Sequence, residues 1–374
     1  TALSIKPDYT IACLKMGNAL KGQGKLNKAI EAYMKAISLK PDYVDAYYNL
    51  GNVLQDQGKL EEAIAAYRKA VSLKPDYAAA KNNLGNALQE QGKLAEAIEV
   101  FKKVLSVNPD YVEAYNNMGN ALQEQGRLEE AIRAFNQALS LKPDYAKAYN
   151  NKGFTLQVQG KLDGAIAAYN NALLLQPDYA EAHENLSFSL LNCGRLKEGF
   201  DEFEWRWQTD RHISARRHFS QPLWDGQESL KRKRIFLWCE QGIGDTINWS
   251  SCMPLVTSQA EYCILECQEK LVPLLARSFP NVEVKPENRS CDLERDDFDV
   301  HLPMGSLYRH FISKISLDGK ADAFLAPDPF RVNFWRKRLT SLGNGPYVGI
   351  SWKSSNMSLK RLTNYAPISE LSRV

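Results

Sequence analysis

The stretch VDAYYNLGNVLQDQGKLEEAIAAYRKAVSLKPDY, Val44–Tyr77, predicts two amphipathic helices joined by a tight turn. Gly51 lies on the apolar face of the first helix, where the missing side chain permits close approach of the second helix. Gly58 is expected to end the first helix in the left-handed conformation, and Pro75 to end the second. The apolar faces of the two helices consist of Leu50, Leu54, Ala63, Tyr67 and Ala70.

This pattern recurs with a fixed period, because a Pro-Asp-Tyr triplet begins at positions 7, 41, 75, 109, 143 and 177. The spacing matches the period of about 34 residues of the tetratricopeptide repeat, a helix–turn–helix unit. We therefore predict an α-helical solenoid of these repeats, coiled as a right-handed superhelix. It comprises a partial unit over 1–9, five full units over 10–179 and a degenerate capping unit over 180–213. Terminal repeats of this kind commonly cap an array.

The repeat also produces two columns of asparagine, three residues apart on the first helix of each unit. The first column is Asn49, Asn83, Asn117, Asn151 and Asn185, and the second is Asn18, Asn52, Asn86 and Asn120. Residues three apart share a helix face, so a ladder of amides is expected along the inner wall. Each amide offers a donor and an acceptor, which suits an extended peptide backbone. Alternatively, these asparagines cap turns or bond neighbouring repeats.

The phrase NNLGNALQEQGKLAEAI, Asn82–Ile98, resembles the repeats of O-GlcNAc transferases. In that family such a ladder holds polypeptide substrates, so the resemblance implies a protein or peptide partner. Phe154 and Phe188 replace asparagine in the second column and are expected to pack against the following domain instead.

Beyond about Trp207 the period disappears, and a connector over 214–230 leads into a different pattern. Short predicted strands at 234–240, 261–268, 282–286 and 299–304 alternate with predicted helices at 245–256, 269–279 and 306–315. This alternation predicts a parallel sheet wound with helices, an α/β Rossmann-like lobe over 231–345. A basic helix is predicted over 327–342, and a new strand begins a truncated second lobe over 346–374.

The stretch CEQGIGDTINWS, Cys239–Ser250, joins the first predicted strand to the next helix. Gly242 and Gly244 are expected to permit a tight turn, and the amides of the following helix to meet an anion. The pattern is no dinucleotide fingerprint, because Ile247 occupies the third glycine position, and it lacks the P-loop ending. For Asp245 the alternative is an ordinary helix N-cap.

EQGIGDTINWSSCMPLV resembles the opening Gly-Asp motif of heptosyltransferase-like glycosyltransferases, and LWDGQESLKRKRIFLWCEQGIGD is similar to bacterial proteins that fuse tetratricopeptide repeats to such a domain. The related phrases HLPMGSL, 301–307, and YVGISWKSS, 347–355, follow in the matching order. The resemblance implies a two-lobed GT-B fold, of which 231–345 would be the N-terminal half. The donor nucleotide sugar would be held mainly by the C-terminal lobe.

The same resemblance implies roles for particular residues. Asp245 would be the general base that takes a proton from the acceptor hydroxyl. A loop formed by Lys353 and Ser354, with Lys360 or Arg361, would meet the donor phosphates and stabilise the leaving diphosphate. The alternative for Lys360 and Arg361 is a solvated basic loop.

Too few residues follow Gly345 to build a second nucleotide-binding lobe. We therefore expect either a fragment or a protein whose partner lobe was lost. On this expectation the chain binds a nucleotide sugar only together with the missing C-terminal lobe.

Composition limits the remaining classes of function. A net charge of +3, from 47 basic and 44 acidic residues, does not indicate a nucleic-acid partner. No apolar run is long enough to span a bilayer. The seven cysteines show no metal-site spacing, so neither a metal nor another cofactor is predicted. Buried, reduced thiols indicate a cytoplasmic location.

Two classes of function remain open. The leading hypothesis is that the parent protein is an inverting glycosyltransferase whose repeats recruit a protein or peptide, with this chain alone inactive. The alternative is a non-catalytic scaffold in which the α/β lobe is a docking module. A true O-GlcNAc transferase would fit the repeats but not the α/β motifs. An Asp245 exposed in an open cleft would favour chemistry, and an Asp245 buried as an N-cap would oppose it.

Overall fold

The computed structural model describes residues 10–209, 216–288, 295–315 and 324–341. The chain divides into two compact units, which we call the array unit, Thr1–Asp178, and the sheet unit, Tyr179–Val374. The predicted partial repeat over 1–9 and the predicted second lobe over 346–374 lie outside the described residues.

The array unit is built from helix pairs, as the period predicts. We call the first helix of each pair helix A and the second helix B. The described pairs are α1 Thr10–Gly22 with α2 Leu26–Leu39, α3 Val44–Asp56 with α4 Leu60–Leu73, α5 Ala78–Glu90 with α6 Leu94–Val107, α7 Val112–Glu124 with α8 Leu128–Leu141, and α9 Ala146–Val158 with α10 Leu162–Leu175.

Each pair is closed by a glycine of helix A that contacts an aromatic ring of helix B. A Cβ at Gly51 would lie 2.5 Å from the ring of Tyr67, so only glycine allows the two helices to approach this closely. The same contact recurs in the other pairs, between Gly17 and Tyr33, Gly85 and Phe101, Gly119 and Phe135, and Gly153 and Tyr169. The predicted helix end is confirmed as well, because Gly58 has φ of +73°.

Helices A of successive repeats contact one another along the array. Small alanines fill the space between the helices of a pair, and Ala63 and Ala70 are both fully buried. Helices A therefore form one continuous surface of stacked helices. The right-handed sense of the superhelix stays a prediction.

The sheet unit begins with the degenerate repeat. Helix α11, Ala180–Asn192, pairs with α12, Leu196–Phe203, and a 3₁₀ turn follows over Glu204–Gln208. In this pair Ser187 replaces the helix-A glycine of the full repeats, and Gly199 replaces a helix-B alanine. The two residues contact each other, since the Ser187 hydroxyl donates to the Gly199 carbonyl at 2.8 Å.

Four short strands form a parallel sheet in the order β3-β2-β1-β4. The strands are β1 Arg234–Trp238, β2 Tyr262–Cys267, β3 Glu283–Pro286 and β4 Val300–Pro303. The helices are α13 Ile243–Trp249, α14 Met253–Thr257, α15 Val272–Ser278, α16 Leu307–Phe311 and α17 Pro329–Thr340. All four predicted strands are present, each shorter than its prediction.

Two of the predicted helices are interrupted where proline enters them. Instead of one helix over 245–256, α13 and α14 are separated by a 3₁₀ turn, and Pro254 lies in the first turn of α14. Pro273 likewise lies in the first turn of α15, after a 3₁₀ turn. Proline is tolerated at such starts because its missing N–H would be unbonded there anyway.

The two faces of the sheet are covered differently. On one face Ile235 and Leu237 pack against the helices, together with Cys263 and Cys267. On the other face the side chain of Phe236 is stacked against Phe298. The covering residues on this second face are Trp207, Phe219 and His301.

Candidate functional site

The structure places all nine predicted asparagines on A-type helices, but in different environments. Asn18 is exposed, and Asn52, Asn86 and Asn120 are half-buried. In the first column, Asn49, Asn83, Asn117 and Asn151 are half-buried. Asn185 differs, because it is buried within α11 of the sheet unit. The members of one column are therefore not equivalent.

The first column bonds neighbouring repeats. The Asn49 amide donates to Asn18 Oδ1 at 3.2 Å, and the Asn83 amide donates to Asn52 Oδ1 at 2.8 Å. These bonds agree with the alternative weighed above, in which the asparagines join successive repeats.

Further along the array the acceptor changes. The Asn117 amide donates to Asn82 Oδ1 at 3.2 Å, and the Asn151 amide donates to Asn116 Oδ1 at 3.0 Å. Asn82 and Asn116 are buried and belong to a third column, completed by Asn150, that was not predicted from the sequence. The doubled asparagines at 82–83, 116–117 and 150–151 are the sequence signal from which this third column could have been predicted.

The asparagines of the second column differ in whether they are hydrogen-bonded, and the difference follows the aromatic residue of helix B. The Tyr33 hydroxyl donates to Asn18 Oδ1 at 2.7 Å, and the Tyr67 hydroxyl lies 2.7 Å from Asn52 Oδ1. In the array over 10–178, all of it described, the side-chain amides of Asn86 and Asn120 make no hydrogen bond.

A buried ionic cluster lies at the carboxyl ends of β1 and β4. Arg206, from the 3₁₀ turn after α12, is fully buried and donates from Nε to Glu240 Oε1 at 2.9 Å. Its other nitrogens donate to Glu204 Oε1 at 2.8 Å and to Ser306 Oγ at 3.0 Å. Glu240 belongs to the Gly-Asp stretch, but no role was predicted for it. Arg206 lies far from it in the sequence and was not predicted as its partner.

Glu240 is buried with one oxygen unsatisfied. Among the described residues its Oε2 has no hydrogen-bond partner. Burial raises the pKa of Glu240 to about 7, the Arg206 charge opposes this shift, and the charges of Glu204 and Asp245 add to it. Gly305 makes room for this carboxyl group, because a Cβ there would lie 2.3 Å from Glu240 Oε1.

Asp245 is exposed beside this cluster. It is the third residue of α13, whose N-cap is Gly242, and its carboxylate makes no hydrogen bond to any described residue. The N-cap alternative for Asp245 is therefore not observed. Neither Gly242 nor Gly244 has a positive φ. A Cβ at Gly244 would meet nothing within 4 Å.

The remaining predicted residues do not join this cluster in the described structure. Lys353, Ser354, Lys360 and Arg361 lie outside the described residues. His301, on β4, contacts Phe219, and its Nδ1 accepts from Trp238 Nε1 at 3.3 Å.

One groove in the sheet unit has a volume of about 660 Å³ and lies between α15 and α17. Its walls include Leu274, Arg277 and Trp335, and no predicted site residue lines it. Among the described residues, no group of three or more His, Cys, Asp or Glu side chains is arranged to hold a metal ion. In that same part of the chain, every helix is too short or too polar to cross a membrane.

Comparison with known proteins identifies the repeats. Family models described as TPR repeat match residues 17–58 and 53–92, and models described as tetratricopeptide repeat match 76–144 and 146–179. Protein FlbA of Caulobacter vibrioides is 30% identical over an alignment of 191 residues, which covers 47% of this chain and 32% of that protein. The chain thus spans about a third of the length of this curated relative.

Solved structures similar to the chain include YrrB, described as a TPR protein with an unusual peptide-binding site. It is 25% identical, the match covers 48% of this chain and 93% of the YrrB chain, and the TM-score is 0.41. A structure of MamA is 28% identical, covers 44% of this chain and 96% of its own, and also has a TM-score of 0.41. From the matched family models and the helix pairs described above, the N-terminal half of this chain is an array of tetratricopeptide repeats.

Proposed function

We propose that the array binds an extended polypeptide on the surface formed by helices A. The observation that carries this proposal is the pair of unbonded amides, Asn86 and Asn120, at equivalent positions of neighbouring repeats. Each half-buried amide retains two donors and an acceptor, which match the C=O and N–H of a peptide unit. A protein or peptide is therefore the partner that fits this surface.

The test uses binders selected from a library of random twelve-residue peptides against the whole chain. Asn86→Ala and Asn120→Ala should each weaken binding about thirtyfold in calorimetry, since a hydrogen bond contributes about 1 kcal/mol and the amide can form two. Asn136→Ala is the matched control, because Asn136 is an exposed asparagine on a helix B. A selected peptide that binds both Asn variants as tightly as the unaltered chain would contradict the proposal.

As a second function, we propose that the sheet unit takes part in glycosyl transfer in the natural full-length protein. In open parallel sheets, ligands bind beyond the carboxyl ends of the strands where the strand order reverses. In the order β3-β2-β1-β4 that point lies between β1 and β4. The exposed Asp245 and the buried Glu240 follow β1, and Gly305 and Ser306 follow β4, which supports the proposal.

In the proposed reaction Asp245 accepts the proton of an acceptor hydroxyl. The acceptor oxygen forms a bond to the anomeric carbon of a nucleotide sugar, and the bond from that carbon to the diphosphate breaks with inversion. Lys353, Ser354, Lys360 and Arg361 are proposed to stabilise the leaving diphosphate. Glu240 is placed to hold a proton beside Asp245, because its pKa of about 7 keeps it partly protonated near neutral pH.

The test is a titration of the full-length protein with UDP-, GDP- and ADP-sugars, followed by a transfer assay. Asp245→Asn should keep donor binding and lose transfer. Glu261→Gln, an exposed carboxylate at the amino end of β2, should keep both. If no donor binds, the sheet unit is a docking module and the protein a non-catalytic scaffold.

We propose a cytoplasmic location. It is supported by the six described cysteines, all of which are free thiols and five of which are buried.

A further inference from the structure

We infer that the helix-B aromatic residue decides which asparagines of the second column can receive a peptide, and that peptide recognition is confined to Asn86 and Asn120. The inference rests on the proposed peptide binding and adds the position of the binding segment within the array. Its evidence is a comparison between repeats that carry tyrosine at one position of helix B and repeats that carry phenylalanine there.

The ring occupies the same place in both kinds of repeat. A Cβ at Gly17 would lie 2.4 Å from the Tyr33 ring, and a Cβ at Gly85 would lie 2.5 Å from the Phe101 ring. In both repeats the ring residue follows the second-column asparagine at the same spacing. The hydroxyl group is therefore one difference between these repeats, and the third column is the other, because it holds Leu14 and Tyr48 in the first two repeats and Asn82 and Asn116 in the phenylalanine repeats.

In the tyrosine repeats the hydroxyl helps to saturate the asparagine oxygen. Asn18 Oδ1 accepts from the Tyr33 hydroxyl at 2.7 Å and from the Asn49 amide at 3.2 Å. Asn52 Oδ1 accepts from the Asn83 amide at 2.8 Å and lies 2.7 Å from the Tyr67 hydroxyl, whose single proton it shares with Gln55 Oε1 at 2.9 Å. An amide oxygen has two lone pairs, so Asn18 Oδ1 has none left for a peptide N–H, and Asn52 Oδ1 has none left while the Tyr67 hydroxyl donates to it.

In the phenylalanine repeats both of these bonds are missing. Phe101 and Phe135 have no hydroxyl, and the next repeat donates to the buried Asn82 or Asn116 instead. The whole amide groups of Asn86 and Asn120 therefore stay free to bond a peptide N–H and C=O together. Asn18 can only donate, and Asn52 can accept a further bond only when the Tyr67 hydroxyl donates to Gln55.

The last full repeat supplies an internal comparison. Tyr169 has the same ring position against Gly153, but Phe154 replaces the second-column asparagine. The Tyr169 hydroxyl bonds Gln157 Oε1 at 3.0 Å, at the position equivalent to Gln55 in the repeat of Tyr67. Burial raises the pKa of Tyr33 and of Tyr67, so each hydroxyl keeps its proton and remains a donor.

The experiment exchanges the hydroxyl between repeats and measures affinity for the peptides selected above. Phe101→Tyr and Phe135→Tyr should each weaken binding about fivefold, because each new hydroxyl fills one of the two lone pairs of a binding amide oxygen and competes with the peptide N–H for it. Tyr33→Phe is the matched reverse exchange and should not weaken binding. Far-ultraviolet circular dichroism and the melting temperature establish that each variant is folded; tyrosine already occupies this position in three of the five repeats.

The outcomes separate the two proposals. If binding depends on Asn86 and Asn120 but is unchanged in folded Phe101→Tyr and Phe135→Tyr, the hydroxyl rule is wrong and peptide binding stands. Weaker binding in Tyr33→Phe would also overturn the rule, because it would place the peptide at Asn18. If the library yields no binder at all, peptide binding fails and the rule fails with it.

Discussion

At the scale of single residues, Glu240 shows how burial and charge oppose each other. Its carboxyl group is held by the buried Arg206 guanidinium, yet burial outweighs that attraction and raises the Glu240 pKa to about 7. A carboxyl group whose pKa is higher in the folded state favours folding when protonated. The stability of the sheet unit is therefore linked to pH in the range where most carboxyl groups have already ionised.

This linkage predicts the pH dependence of stability. The contribution from Glu240 is fully present below its unfolded pKa, about 4.5, and is lost as pH rises through about 7. Glu240→Gln cannot ionise, so its melting temperature relative to the unaltered chain should rise between pH 5 and pH 8. The measurement is thermal unfolding of both proteins across that range. If the melting temperatures of the two proteins change with pH in parallel, the pKa of Glu240 is the same in the folded and the unfolded state.

Single residues also show which features of the candidate sites could not be predicted from the sequence. The asparagine columns follow from the period, but whether an amide is free depends on a hydroxyl group of the following helix B and on a buried third column. Glu240 could not be singled out, because its burial depends on Arg206 from the preceding repeat-like segment and on the space left by Gly305. Contacts so distant in sequence leave no local pattern.

At the scale of elements, the glycine–aromatic contact holds each helix pair together. A Cβ at Gly51 would be 2.5 Å from the Tyr67 ring, which has no space to move because Tyr67 is fully buried. Gly164, in α10, differs because a Cβ there would lie 3.5 Å from Leu156, an ordinary contact. The two helix glycines therefore provide a matched pair.

Alanine should have opposite effects at these two glycines. Gly51→Ala should lower the free energy of unfolding by about 1–3 kcal/mol through overpacking. Gly164→Ala should raise it by about 0.5–1 kcal/mol, because alanine favours the helix. Urea unfolding followed by circular dichroism measures both changes. Equal losses in the two variants would mean that helix propensity and ring contact do not explain these glycines.

Two helices of the sheet unit were predicted incorrectly from the local sequence pattern. The apolar periodicity predicted unbroken helices after β1 and β2, and the structure breaks both near Pro254 and Pro273. The strands were predicted in the correct places because short apolar runs between turn residues are a local signal. The alternation of strands and helices predicted that the strands are parallel. It did not predict their order, because the position of β4 beside β1 depends on contacts far apart in sequence.

At the scale of the whole molecule, the repeat pattern and the compact units end at different places. The repeats continue to the degenerate pair α11 and α12, yet this pair belongs to the sheet unit. Phe203, at the end of α12, is part of the main core cluster of the sheet unit, and Arg206 follows it. The sheet therefore folds together with a helix pair of repeat origin.

This arrangement predicts how the chain can be divided. A fragment over 179–374 should fold, because it retains Phe203 and Arg206. A fragment over 214–374 should not, because it would leave Glu240 buried without its cation, which typically costs about 3–5 kcal/mol. Dispersion of the amide proton spectrum distinguishes the two. A well-dispersed spectrum for the shorter fragment would show that the sheet folds without the helix pair.

The bond between Arg206 and Glu240 has a consequence for how such proteins can be inherited. Repeat arrays lengthen and exchange by recombination between similar segments, and the fixed period of this chain offers many points for it. An exchange before Tyr179 would replace the array and leave the sheet with its own cation. An exchange further along would separate the arginine from its carboxyl partner, so lineages should shuffle the first five repeats freely and transmit the sixth with the sheet.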